Sequence, residues 1–164
     1  MKDILQKLST YNIFNYLVPG IVFVALLRQY TSFDLIVDEL FIGAFLYYFI
    51  GLVISRIGSL IIEPILRKSG IVKFSEYSKF ISASKKDEKI ELFSEINNMY
   101  RTFISMLLIL IIAVTYENIG FFMTLNETLK SIIGLSFLAL LFLLSYKKQT
   151  EYINKRINAN NDGE

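Results

Sequence analysis

The sequence predicts an all-α membrane protein with four transmembrane helices, a helical cytoplasmic insert between spans 2 and 3, and both termini inside the cell (N-in/C-in). Three observations carry this expectation. Four stretches, centred near Phe23, Tyr48, Leu108 and Ala139, are too apolar and too long for ordinary core, and a run of about 18 or more apolar residues satisfies its own backbone as a spanning helix. Hydrophobic residues make up 54% of the 164-residue chain and the mean hydropathy is +0.49, which leaves little polar surface for a particle in water. The loops between the stretches carry opposite charge bias. One helical bundle accounts for nearly the whole chain, so a single domain is expected.

Composition also narrows the function classes. With no Cys and no His, zinc, haem, iron–sulfur and thiol chemistries lose their usual ligands and nucleophiles, and imidazole-based triads and acid–base pairs are lost with them. There is no GxxxxGK, GxGxxG or HExxH. No enzymatic activity, cofactor or metal site is expected. The net charge of +2 matters less than where the charges lie.

At the start, Met1 to Tyr11 alternates Ile4, Leu5 and Leu8 with Lys2, Asp3, Gln6 and Lys7, which predicts a short amphipathic helix at the membrane interface. Lys2 and Lys7 ahead of the run Ile13 to Leu27 raise a signal peptide as an alternative, but Leu26-Leu27-Arg28-Gln29-Tyr30 is bulky and charged and offers no small-residue cleavage site. The segment is therefore expected to remain as the first span, 12–29, kinked at Pro19-Gly20. The second span, 40–62, places Gly43, Tyr47, Gly51, Ser55 and Ser59 at four-residue spacing on one face. Small residues there let another helix approach closely, and the stripe reads as a packing face; the alternative is that glycine is simply common in membrane helices.

Pro64 is expected to end that helix, and Arg67-Lys68-Ser69-Gly70 takes the chain into water. The insert, 67–100, has Phe74, Tyr77 and Phe80 at three-residue spacing. Ser84, with Asp87 three residues on, predicts the cap of a new helix. Ile90, Phe93, Ile96, Tyr100 and Phe103 keep one apolar stripe running into the third span, 102–116. No Gly or Pro interrupts Lys85 to Tyr116, so a helix of about 48 Å is expected at 1.5 Å per residue, longer than a bilayer core of about 30 Å. Asn118 to Lys130 connects to a fourth span, 129–146, which leaves the membrane at Lys147-Lys148. The tail 158–164 lacks apolar periodicity and is expected to be disordered.

Loop charge sets the expected sidedness. The first loop holds Asp34, Asp38 and Glu39 against one basic residue, Arg28. The second holds Arg67, Lys68, Lys73, Lys79, Lys85, Lys86, Lys89 and Arg101; the third holds only Lys130; and the C-terminal flank holds Lys147, Lys148, Lys155 and Arg156. Basic loops stay in the cytoplasm, and they fall on one side only with four spans and both termini inside.

Arg56 and Glu63 are the ionisable residues within or at the end of an apolar span. Seven residues apart, they share a helix face about 10 Å apart. One reading is an ion pair, within or between subunits, that holds a gate; the other is that both snorkel to the cytoplasmic interface. In the insert, Lys73, Phe74, Tyr77, Lys79, Lys85, Lys86 and Lys89 alternate basic groups with aromatic faces, a pattern that binds phosphates and stacks bases. Glu76, Asp87, Glu88, Glu91 and Glu95 dilute it, and positive-inside topology on a solvated helix or contact with anionic lipid would leave the same pattern. Asn97, Asn98 and Arg101, where the long helix enters the membrane, read either as the mouth of an oligomeric pore or as interface anchors. Asn12 and Asn15 are similarly placed.

The stretches Leu8 to Gly20, Ile54 to Pro64, Ser82 to Glu91 and Asn97 to Thr102 together resemble a group of small bacterial membrane proteins encoded in anti-phage defence loci. In kind, the chain is most similar to the channel effectors of the Hailong type. That resemblance implies an oligomeric ion channel of the inner membrane, with a tetramer expected. It also implies control by a single-stranded oligodeoxyadenylate that a partner nucleotidyltransferase makes.

The expected function is a homo-oligomeric pore, surrounded by membrane lipids, whose opening depolarises the membrane. The chain has too few spans for a repeat-built transporter, a small-residue packing face, and a helix able to carry a cytoplasmic signal into the bilayer. The competing expectation is a non-conducting membrane anchor or sensor subunit that recruits a soluble partner.

Overall fold

In a computed structural model, the described residues are 10–119 and 127–161. They form five helices and no strand: α1 Thr10–Tyr30, α2 Leu40–Lys68, α3 Tyr77–Ser84, α4 Lys89–Ile119 and α5 Glu127–Asn161. Three are long and apolar enough to cross a membrane, namely Thr10–Tyr30, Leu40–Lys68 and Lys89–Glu117. The fourth expected span, 129–146, is helical too and forms the N-terminal part of α5. The expected interfacial helix lies almost wholly outside the described residues.

Both prolines are carried inside continuous helices, and by the same device. A π turn over Ile13–Leu17 precedes Pro19, and another over Gly58–Ile62 precedes Pro64. In each, the residue after the turn donates its N–H five residues back, Val18 to the Ile13 carbonyl and Glu63 to the Gly58 carbonyl. Proline cannot donate in an α turn and crowds the carbonyl four residues behind it; a wider turn just upstream relieves that conflict without ending the helix. Pro64 therefore does not terminate α2, which runs on to Lys68, and Pro19-Gly20 does not interrupt α1.

The expected helix from Lys85 is shorter than its sequence suggested. Ser84 does not cap it: its hydroxyl donates to the Ile81 carbonyl at the end of α3, and the Lys85 and Lys86 amides close that helix on Ile81 and Ala83. Asp87 takes the capping role, its carboxylate accepting the Lys89 N–H at 3.0 Å. Serine and aspartate cap about equally well, but Ser84 is taken up in closing α3, which leaves Asp87 to start the next helix. The resulting α4 of 31 residues is about 46 Å long. At the other end of the chain, α5 continues helical to Asn161, past the expected start of a disordered tail, since extending a formed helix adds one bond per residue fixed.

Helices α1, α2 and α4 pack on one another around Phe23, Val24, Leu27, Ile54, Met106 and Leu110. Close approach of α1 and α2 depends on two glycines. A Cβ on Gly20 would run into the Tyr47 carbonyl, and one on Gly51 into the Tyr16 carbonyl. Helix α5 lies against α2 and α3, with Leu141 buried and Phe142 stacked on Phe49 at 6.0 Å. At one end of the bundle the Ser32 amide donates to Glu117 at 2.8 Å and Arg28 pairs with Asp34 at 3.5 Å. The first turn of α1, the end of α2, the start of α4 and Lys148 share the opposite end.

Large apolar side chains cover the outside, with Leu40 and Phe41 81% exposed and Ile112 66%. The inside holds Asn15, Ser55, Glu63, Thr102 and Ser105, all buried. Apolar exposure on this scale is rare on a particle in water, and it suits a surface that lipid covers.

Candidate functional site

The π turn of α2 ends on Glu63 and determines where its carboxylate goes. Each five-residue closure puts an extra residue into a turn, so the residues beyond it are rotated back by about 100° relative to an uninterrupted α-helix. That rotation removes Glu63 from the face of Arg56 and aims it into the bundle, where its side chain is 8% exposed. The expected Arg56–Glu63 pair does not form. Glu63 instead accepts a direct hydrogen bond from Arg101 of α4, lies 3.6 Å from the Lys148 ammonium of α5, and lies 4.0 Å from Arg67 one turn on. Lys148 also donates to the carbonyl of Ser59 and to its hydroxyl, the latter at 2.9 Å. One carboxylate thus ties three helices together.

Arg56 turns the other way. Its Nη2 donates to the Tyr16 hydroxyl at 3.3 Å, and the Tyr16 ring meets Tyr48 edge-on at 5.5 Å. The Nε atoms of both Arg56 and Arg101 are buried without a hydrogen-bond partner. Burial draws the Lys148 ammonium below the ordinary lysine range; Glu63 opposes this, while Arg101 and Arg56 add to it.

Beside these residues, Asn15, Ser55 and Thr102 form a buried polar knot across α1, α2 and α4. The Thr102 hydroxyl lies 2.9 Å from Asn15 Oδ1, 3.2 Å from Ser55 Oγ and 3.0 Å from the Asn98 carbonyl. The Asn15 amide reaches Ser55 at 3.4 Å and the Tyr11 hydroxyl at 3.2 Å. Such mutual satisfaction lets polar groups lie deep in an apolar bundle without unmet hydrogen bonds.

The small-residue stripe is a packing face, but it is filled within the chain. Gly51 meets α1, Ser55 joins the knot, Ser59 receives Lys148, and Gly43 lies under the Tyr47 ring. Of the expected pore-mouth residues, Arg101 points inward to Glu63, Asn98 offers its carbonyl to Thr102, and Asn97 is exposed. The expected ligand residues of the insert do not converge. Lys73, Lys85, Lys86 and Lys89 are exposed, Lys79 pairs with Glu76 at 3.1 Å, Tyr77 faces Phe80 at 6.3 Å, and Phe74 lies 5.1 Å beneath the Arg67 guanidinium.

Sequence reasoning missed Tyr16, Thr102 and Lys148. Thr102 and Ser105 interrupt the third apolar stretch, and that signal was available; Lys148 reads only as a membrane exit until α5 is docked. A cavity of about 750 Å³ also opens between the first turn of α1 and the start of α4, lined by Tyr11, Phe14, Leu92, Ile96 and Met99 together with Glu88, Glu91 and Glu95. Among the described residues no acidic group gathers to hold a metal ion. Comparison with protein-family models, with curated proteins and with solved structures finds no match to this chain.

Proposed function

We propose that the chain is a four-span protein of the bacterial inner membrane, N-in/C-in, that assembles into a homo-oligomeric ion channel. In this reading it serves as a defence effector that depolarises the membrane on a cytoplasmic nucleotide or oligonucleotide signal, supplied by a partner nucleotidyltransferase. The observation that carries it is the Glu63 clasp. A single buried carboxylate joins α2, α4 and α5 at the end of the bundle where the basic insert emerges. Breaking such a clasp would release α2, α4 and α5 from one another, which is how a signal at the insert would reach the spans in this reading.

The test is ion flux from liposomes containing purified protein, with and without short oligodeoxyadenylates. Current or dye-reported depolarisation that needs both protein and oligonucleotide supports the reading; tight vesicles under all conditions sink it. The self-satisfied knot of Asn15, Ser55 and Thr102 favours the second reading, a non-conducting membrane anchor. Tight vesicles that still capture a soluble partner would establish that one.

A further inference from the structure

Helix α2 has 29 residues and is therefore about 44 Å long. A bilayer with its headgroups is about 40–45 Å thick, and tilt only shortens a helix's reach. A helix of this length that crosses the membrane ends within the headgroup layer. The chain then doubles back. Gly70 takes φ +77°, the left-handed conformation in which a glycine closes a helix end, and the Val72 amide donates to the Leu66 carbonyl at 3.3 Å. Seven residues of extended chain would cover about 23 Å, yet the Phe74 ring lies 5.1 Å beneath the Arg67 guanidinium. The turn thus holds segment 65–74 at the level where α2 ends.

This segment is apolar and basic at once. Ile65 is 58% exposed, Ile71 71% and Phe74 47%. Arg67, Lys68 and Lys73 are interleaved with them and exposed, and no acidic residue occurs between Glu63 and Glu76. Those two carboxylates are engaged, Glu63 chiefly by Arg101 with Arg67 4.0 Å away, and Glu76 by Lys79 at 3.1 Å. Exposed apolar side chains beside uncompensated basic ones suit the membrane interface, where lysine and arginine meet anionic headgroups. We infer that segment 65–74 is a docking surface for the anionic phosphate headgroups of the bilayer that α2 crosses. A headgroup layer, unlike a single ligand, meets such a surface without the side chains converging on one point. The insert therefore begins on the membrane rather than in free water. The inference needs only that α2 spans a bilayer, and it stands whether or not the protein conducts.

The chain has no cysteine, so Ile71→Cys places a single fluorophore on the full-length protein. The labelled protein is reconstituted in phosphatidylcholine nanodiscs with and without phosphatidylglycerol. The probe should be quenched by lipids carrying a nitroxide at the headgroup. It should also be shielded at least threefold from acrylamide, relative to a probe at Lys85→Cys, which is exposed in the turn between α3 and α4. Native mass spectrometry then reads the preference for phosphatidylglycerol over phosphatidylcholine, which salt should weaken. Replacing Lys68 and Lys73 by Gln, which leaves the Glu63 contacts intact, should cut that preference threefold or more. Replacing Lys85 and Lys86 by Gln should not. A probe at Ile71→Cys as open to acrylamide as that at Lys85→Cys, with no quenching by lipid, overturns the inference. So does an unchanged preference in the Lys68 and Lys73 variant, with folding verified by circular dichroism, or an equal loss in the Lys85 and Lys86 variant. Should the double variant fail to fold, Lys73→Gln alone decides. Shielding of the Ile71→Cys probe by a short oligodeoxyadenylate but not by lipid would assign the surface to a soluble polyanion and would overturn the inference as well.

Discussion

Glu63 is the residue on which most of the bundle's charge depends. Replacing it by Gln removes the carboxylate that two largely buried cations share, and breaking a buried ion pair by deleting one partner costs about 3–5 kcal/mol. A marked fall in the thermal midpoint of the detergent-solubilised protein is expected for Glu63→Gln. Adding Lys148→Met to that variant should recover part of the loss, because one largely buried cation that Glu63 had paired disappears. Lys148 supplies a pH test. Its folded pKa lies below the ordinary lysine value, since burial disfavours its charge and Arg101 and Arg56 outweigh part of what Glu63 returns. Between the folded value and the unfolded one, the unfolded chain binds more protons, so this group's contribution makes stability rise with pH across that alkaline window. Thermal melts of wild type and Lys148→Met along the pH axis check the sign: the difference between them should carry this slope, and parallel curves would show that Lys148 does not titrate as described.

At the scale of elements, two features govern the packing: the π turns and the glycine contacts. Gly51 has no room for a Cβ because the Tyr16 carbonyl occupies its place. Gly51→Leu should therefore separate α1 from α2 in the single chain, lowering the yield of folded protein rather than only its oligomeric mass. Overpacking of this kind costs about 1–3 kcal/mol or more. Size-exclusion chromatography with a melting curve distinguishes the outcomes; a monodisperse variant with the wild-type midpoint would show that α1 and α2 tolerate a wider spacing. The glycine-and-serine stripe was legible from its four-residue spacing. Its partner was not, because spacing identifies a face but not the neighbour that covers it. The capping of α4 is the reverse case: Ser84 and Asp87 were both visible, and the choice between them depended on how α3 ended.

For the whole molecule, charge segregates along the bundle axis. Asp34 and Glu117 lie at one end, while Arg67, Arg101 and Lys148 lie at the other with the insert. Basic flanks are retained in the cytoplasm, so a cysteine introduced at Lys85 should react with a membrane-impermeant maleimide only after the cells are opened. One introduced at Asp34 should react in intact spheroplasts. Labelling of Lys85→Cys from outside would reverse the topology. The apolar exterior around a polar interior is a whole-molecule property as well. Composition announced the apolar content, but not that residues such as Leu40 and Phe41 face outward while Asn15 and Thr102 lie within.

The sequence alone determined the helical class and the long apolar stretches, because hydrophobic run length and backbone self-satisfaction are local properties that need no knowledge of neighbours. It also exposed the charge asymmetry of the loops and the small-residue face of α2. Which polar residues meet was decided only by the tertiary structure. Arg56 and Glu63 share a face on an ideal helix, yet a π turn between them rotates one away to Arg101 and Lys148, residues 38 and 85 positions further along the chain. Helical periodicity assumes an unbroken register. The prolines changed that register, and long-range ion pairing then obeyed the rotated geometry rather than the sequence spacing.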